Sequence, residues 1–184
     1  MTEISVIVLA AGYGRRIGKP KLMLETGGRS YAEIINDKIS DCKIKETLFV
    51  INTDSEEWFR KTLPDVKYII NPRPDEGMLS SIFLAYKQLG AVRNLMIFPV
   101  DHPFVRRETL ESIITAGAIS RECVIKPEFR GKSGHPIIIP YPLLSYCGGE
   151  TLSAIIQNSG YKIISVPADD EGIIKNINSP SDVI

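Results

Sequence analysis

The sequence predicts a single α/β domain, three layers deep. A mostly parallel sheet is covered by helices on both faces, with antiparallel pairing at one edge. Three observations predict it. First, β-branched, near-continuous apolar runs alternate with helical segments as far as about residue 120, as strands buried on both faces and joined by helical crossovers do. Second, residues 120–140 break that alternation with two apolar runs joined by a loop rich in Gly and Lys, the pattern of an antiparallel pair. Third, the chain has 184 residues, enough for one domain whose core needs no disulfide or metal staple.

The elements follow in order. Ile4–Ala10 (ISVIVLA) is the first strand, and Gly12–Lys21 is a Gly-rich basic loop. Tyr31–Lys38 reads as a helix and Thr47–Asn52 as a strand. Asp54 or Ser55 can cap a short helix that Pro64 ends. Val66–Ile70 is a third strand, stopped by Asn71-Pro72. Gly77–Leu89 is a helix with an apolar stripe at Ile82, Ala85, Tyr86 and Leu89. Leu95–Val100 is a strand ending at Asp101, and Glu108–Ala118 is a helix. Cys123–Lys126 and Pro136–Ile139 form the two strands of the irregular region. Thr151–Asn158 is helical, Tyr161–Val166 a strand, and Gly172–Asn178 a short strand or loop. No repeat, low-complexity tract or linker divides the chain, so residues 1–184 form one domain.

Composition narrows the function. Lys plus Arg total 22 and Asp plus Glu total 22, which argues against a nucleic-acid binder with its basic excess. Any anion must be bound locally. Cys42, Cys123 and Cys147 are odd in number and include no C-x-x-C pair, so neither a disulfide framework nor a zinc cluster is expected. The apolar run Ile4–Ala11 is short and preceded by Glu3 rather than by a basic segment, unlike a signal peptide. No stretch approaches the length of a membrane span. A soluble, cytoplasmic protein without membrane or nucleic-acid partners is expected.

In sheets of this kind ligands bind beyond the carboxyl ends of the strands. The first strand runs into Leu9-Ala10-Ala11-Gly12-Tyr13-Gly14-Arg15-Arg16-Ile17-Gly18-Lys19-Pro20-Lys21. Small residues let backbone N–H groups approach a ligand, and the glycines permit the positive φ of an anion nest. Arg15, Arg16, Lys19 and Lys21 supply charge. The loop suits a polyphosphate. Two common phosphate motifs fail on spacing: Gly12, Gly14 and Gly18 do not match G-x-G-x-x-G, and Gly18-Lys19 is followed by Pro20 rather than Ser or Thr.

The loop resembles L-A-A-G-x-S-x-R-M-G-x-x-K of the nucleotidyltransferases related to molybdenum cofactor cytidylyltransferase. Leu9-Ala10-Ala11-Gly12, Arg16, Gly18 and Lys21 match; Gly14 replaces Ser and Ile17 replaces Met. Further blocks follow in the same order. Asn71-Pro72 and Glu76-Gly77-Met78-Leu79-Ser80-Ser81-Ile82 resemble N-P…E-G-M-x-x-S-[LI]. Physically, Gly77 opens a helix whose N–H groups, with Ser80 and Ser81, can bond a base or sugar, or simply cap the helix. Asp101-His102-Pro103-Phe104 resembles D-x-P-[FL], and Gly134-His135-Pro136 resembles G-H-P. Asn176-Ile177-Asn178-Ser179-Pro180-Ser181-Asp182 resembles D-I-D-T-P-E-D, with Asn at both early Asp positions.

The resemblance implies a Rossmann-like nucleotidyltransferase domain and the transfer of a nucleoside monophosphate with release of pyrophosphate. By the same resemblance, Arg16, Lys21 and Asp101 are catalytic. Leu9, Ala10, Ala11, Gly12, Gly14, Arg16, Lys21, Asn71, Gly77, Ser80 and Ser81 bind the nucleotide. Asp101 holds Mg²⁺, shared with Asn178, which can ligate through its carbonyl but brings no charge. His135 lies on the acceptor side, to bond a phosphate, orient the substrate or fix its loop. Lys126, Arg130 and Lys132 precede it and either attract an anionic acceptor or form a solvated loop. The Ala10-Ala11-Gly12 form resembles the cytidylyl branch, which implies CTP and molybdopterin cofactor as substrates, with a recipient molybdoenzyme or its chaperone as partner. Cytidylyltransferases of methylerythritol phosphate rank second and sugar-phosphate nucleotidyltransferases third. A nucleotide-binding sensor or chaperone domain without turnover is the alternative from another class.

Overall fold

The computed structural model describes residues 3–90, 93–145 and 151–177. The chain opens with β1 (Ile4–Ala10) and, after the glycine loop, a small hairpin of β2 (Glu25–Thr26) and β3 (Arg29–Ser30). Then come α1 (Tyr31–Ser40), β4 (Glu46–Ile51), α2 (Glu56–Thr62), β5 (Tyr68–Ile70), α3 (Met78–Leu89) and β6 (Asn94–Pro99). The second half holds α4 (Arg107–Ile119), β7 (Cys123–Phe129), β8 (Lys132–Ser133) and β9 (Ile137–Pro140). It closes with α5 (Leu152–Asn158), β10 (Lys162–Pro167) and a 3-10 turn at Glu171–Ile173.

The strands form one sheet in the order β10-β7-β9-β6-β1-β4-β5, with β8 paired to β7. Most neighbours are parallel, as the sequence predicts. The antiparallel strand lies elsewhere than expected. β9 runs antiparallel to both β6 and β7 inside the sheet, and both edges are parallel pairs, β10 on β7 and β5 on β4. The connection through α4 carries the chain past one position to β7. The return from β7 then fills that position with β9, which must run the opposite way.

Alternate side chains of the strands divide between two cores. One face packs Val6, Val8, Phe49, Ile51, Met96 and Phe98 against Ile35 of α1, Phe59 of α2 and Ile113 of α4. The other packs Ile7, Leu48, Val50, Leu95 and Ile97 against Ile82 and Ala85 of α3 and Leu152 and Ile156 of α5. This is the three-layer arrangement the sequence predicts. No helix among the described residues is long and apolar enough to cross a membrane.

One local expectation is corrected. Ser55 occupies the N-cap position of α2, but its side chain makes no capping bond; the Asn52 side chain instead accepts from the Ser55 N–H and caps the preceding turn. Of the strand or loop expected after Gly172, the structure has the loop, opening with a 3-10 turn at Glu171–Ile173. The Asn178 metal ligand expected from the sequence lies outside the described residues, as do Cys147, Ser179 and Asp182.

Register fixes the site. Leu9 pairs with Pro99 and Ala10 with Ile51. The chain leaves β1 for β4 on one side and comes to β6 on the other. The loops after β1, β4 and β6 therefore meet at the sheet's carboxyl end, at the point where strand order reverses.

Candidate functional site

Lys21 and Asp101 meet at that point. The Lys21 ammonium donates to Asp101 Oδ2 at 2.8 Å, with each side chain about one-fifth exposed. The two residues are eighty positions apart, and strands β1 and β6 bring them together.

The glycine loop is built by its own backbone. Gly14 carries a φ of +62°, and a Cβ there would lie 1.9 Å from the Lys19 carbonyl oxygen. The Ser of the related motif cannot occupy this position without rebuilding the loop. Ile17 N–H and Gly18 N–H both donate to Gly14 O, at 2.8 and 2.9 Å. Those two amides are engaged within the loop, so the expected nest is narrower than the glycine count suggests. Arg15 turns outward to Asp75 at 3.0 Å and lies over the Tyr13 ring. Arg16 is exposed and lines a cavity of about 280 Å³ with Gly14, Arg15, Ile17 and Lys21. Leu9 and Ala10 end β1. Ala11 O accepts from Asn52 Nδ2 at 3.0 Å, and Gly12 faces open space.

The next group also assembles. Asn71, buried at the end of β5, donates through Nδ2 to both Ser80 Oγ and Ser81 Oγ at 2.9 Å. Its Oδ1 accepts from Arg73 N–H. Ser80 also donates to Gly77 O at 2.8 Å. These three residues pin the entry of α3 to the sheet. Gly77, at a φ of +91°, provides a bend that other residues adopt only with strain.

Across the switch point, Asp101, His102 and His135 line a cavity of about 440 Å³ with Lys132, Ser133, Gly134, Ile173 and Asn176. The His102 and His135 rings lie 5.1 Å apart, and His102 Nε2 is 3.8 Å from Asp101 Oδ1. Burial lowers the pKa of both rings. For His135 burial, then His102, pushes it down to about 4 against the pull of Asp101. His135 is therefore uncharged at neutral pH. Positive charge is supplied by Lys132 in this cavity and by Lys126, which lines an adjoining cavity of about 200 Å³ shared with His135. His135 Nδ1 is buried and meets no hydrogen-bond partner among the described residues.

Among the described residues no group of three His, Cys, Asp or Glu side chains gathers as a cage. A single carboxylate facing a phosphate loop fits a hard divalent cation that takes its other ligands from substrate phosphates and water.

Sequence reasoning missed Asn52, Asp75, Lys38 and Asp170. Asn52 was legible as the polar residue ending an apolar run. The other three act across long sequence separations, and nothing local marks them.

The fold and this site define a nucleotide-handling α/β domain, with a basic glycine loop facing a strand-end carboxylate. The chain belongs to the MobA-like NTP transferase domain family, whose profile matches residues 6–174. A probable molybdenum cofactor guanylyltransferase of Trichormus variabilis is 21% identical over 194 residues, covering 100% of this chain and 90% of that protein. Two solved structures share the fold. A nucleotidyl transferase of Methanothermobacter thermautotrophicus superposes with a TM-score of 0.80 at 22% identity, over 97% of this chain and 93% of the other. The 4-diphosphocytidyl-2C-methyl-D-erythritol synthase of Anaerococcus prevotii superposes with a TM-score of 0.76 at 20% identity, over 98% and 94%.

Proposed function

We propose that this chain transfers CMP from CTP to the phosphate of molybdopterin cofactor and releases pyrophosphate. The observation that carries the transferase reading is the Lys21–Asp101 contact at 2.8 Å, between the glycine loop and the end of β6. Ala10-Ala11-Gly12 supports the cytidine assignment. A second reading, GTP as donor, is supported by the guanylyltransferase name of the Trichormus relative.

A phosphate oxygen of the acceptor forms a bond to the α-phosphorus. The bond from that phosphorus to the bridging oxygen breaks, and pyrophosphate leaves with the electron pair. No general base is required, because a phosphate monoester is ionised at neutral pH. Positioning and charge carry the rate. Arg16 and Lys21 line the same cavity and offset charge on the α-phosphate and the leaving pyrophosphate. The backbone at Ala10–Gly12 faces the base. Asn71, Ser80 and Ser81 hold the start of α3 beside the nucleotide. Asp101 would hold Mg²⁺, which when bound supplies neutralisation of the triphosphate. His135 meets the uncharged part of the acceptor, and Lys126 and Lys132 its anionic part. The product would pass to a recipient molybdoenzyme or its chaperone in the cytoplasm.

The test is pyrophosphate release from CTP, GTP, ATP and UTP separately, with Mg²⁺ and molybdopterin cofactor. Release with CTP alone supports the proposal. Release with GTP alone keeps the chemistry and reassigns the base. Silence with all four, followed by turnover with a polyol or sugar phosphate, reassigns the acceptor. Nucleotide binding without turnover on any acceptor moves the chain to the sensor class.

A further inference from the structure

The turn after Asp101 is gripped by two groups of opposite charge, a half-buried ammonium and a buried carboxylate, that none of the steps above uses. Lys38 of α1 sends its ammonium into the turn and donates to the carbonyl oxygens of Pro103 at 2.6 Å and Val105 at 2.8 Å. Asp170, only 3% exposed, reaches the same turn from the segment after β10. Its Oδ2 accepts from the Arg106 N–H at 2.8 Å and the Thr109 hydroxyl at 2.7 Å, and its Oδ1 from the Gly172 N–H at 2.9 Å.

The two grips are complementary. Arg106 is the N-cap residue of α4, and its own side chain makes no capping bond. Asp170 supplies that cap from sixty-odd residues away, where a negative charge also suits the helix dipole. Lys38 meets the carbonyl groups on the approach to the same helix. The Asp170 segment also holds the turn directly. Ile177 N–H donates to Asp101 O at 3.1 Å, and a Cβ on Gly172 would lie 2.5 Å from Phe104 O. Apolar residues of similar volume hold a fold as well as buried ions do, and often better. A half-buried ammonium and a buried carboxylate aimed at backbone groups of one short turn instead specify where that turn sits. The residue it places is Asp101.

We propose that Lys38 and Asp170 are positioning residues for Asp101, setting the turn so that its carboxylate meets Lys21 at the switch point. The inference rests on the reading of Asp101 as the reaction centre.

The test uses the full chain with Asp170→Asn, Lys38→Met and Lys38→Arg, in two arms. The first arm is amide hydrogen exchange and needs no activity. In Asp170→Asn and Lys38→Met, exchange over 101–106 rises by about tenfold or more, while β6 keeps wild-type protection. The second arm is kinetics. In both variants kcat falls by about tenfold or more, while KM for the nucleotide stays within about threefold. Lys38→Arg, which keeps the charge and donors, recovers most of the loss seen with Lys38→Met. In an Asp101→Asn background, adding Asp170→Asn lowers kcat by less than about twofold, because both act through one group.

Unchanged exchange over 101–106 in both variants overturns the proposal. So does a kcat loss that multiplies fully with Asp101→Asn, or one that Lys38→Arg does nothing to restore. If Asp170→Asn fails to fold, Thr109→Val removes one of its donors and carries both arms with smaller shifts. Absence of turnover in the wild-type chain overturns the function instead, and the exchange arm then reads the clamp by itself.

Discussion

The loop after β1 and the turn after β6 face one another across the switch point, and they are built by opposite means. The loop over residues 12–19 is largely exposed, and its shape comes mainly from its own backbone: Gly14 and Gly18 at positive φ, and Gly14 O taking two amides. The turn over residues 101–106 takes its shape from elsewhere. Lys38 and Asp170 arrive from other elements to bond its main chain. A loop that must admit a nucleotide and release pyrophosphate is best held by bonds it can exchange. A turn that places one carboxylate is best held by bonds that seldom open. On the proposed reading, the contrast sets a loop that adapts to the nucleotide against a turn that fixes one carboxylate, and variants on the two sides should divide accordingly.

The largest effect belongs to the contact that joins the two sides. Asp101→Asn should lower kcat by on the order of a thousandfold and Lys21→Met by about a hundredfold or more, because each removes charge matched to the transition state. Thermal melting should move by only a few degrees, since the pair is partly solvated. A loss confined to KM in both variants would place the pair in binding alone and break the contrast.

The next effect tests the buried side through pH. The folded pKa of His135 is pushed down to about 4, against about 6.5 in an unfolded chain. The folded state therefore binds fewer protons than the unfolded state throughout that window. Stability is fully present above about pH 6.5 and is lost as pH falls toward about 4, by about 3 kcal/mol in total. His102, also buried with a lowered pKa, adds in the same direction. Denaturant unfolding at several pH values should show this slope, and His135→Gln should flatten most of it. An unchanged slope in that variant would mean the acid sensitivity lies elsewhere.

The same contrast decides what was legible in the sequence. The loop could be read because glycines and cations within ten residues do the work locally. Asp101 could be read because a carboxylate ending an apolar run falls at a strand's carboxyl end. Lys38 could not be read: it sits on α1 like any polar helix position, and its partners lie more than sixty residues on. Asp170 looked like one acid among several near Ala168. The place of β9 was missed for a related reason. Periodicity identifies strands but says nothing about which gap a returning strand fills. Gly14 was read as a departure from a motif, and the structure shows the Lys19 carbonyl that excludes a side chain there.

That exclusion sets the third prediction. Gly14→Ser should weaken nucleotide binding by about tenfold to a hundredfold, combining strain at positive φ with a backbone clash. Melting temperature should fall by a few degrees, because the strain and the rebuilding of the loop are costs on the folded state. Gly18→Ala is the control. Its φ is +82°, but the space for a Cβ is open, so only the strain of about 1 kcal/mol applies. Titration with CTP and GTP by calorimetry reads both. Equal losses at the two glycines would mean that φ alone matters and that the Lys19 carbonyl gives way.

The smallest effect is expected at the Arg15–Asp75 pair, which ties the glycine loop to the segment before α3. It looks like a latch, but its two side chains are 76% and 65% exposed. A surface ion pair of that kind contributes about 0–1 kcal/mol and is screened by salt. Asp75→Asn should therefore shift unfolding free energy by less than about 0.5 kcal/mol and nucleotide affinity by less than about threefold. What remains of the difference between wild type and variant should vanish by about 0.5 M salt. Isothermal titration in low and high salt checks this directly. A tenfold change that survives high salt would show that the loop depends on a distant residue after all, as the Asp101 turn does, and the two sides of the site would no longer be built by different means.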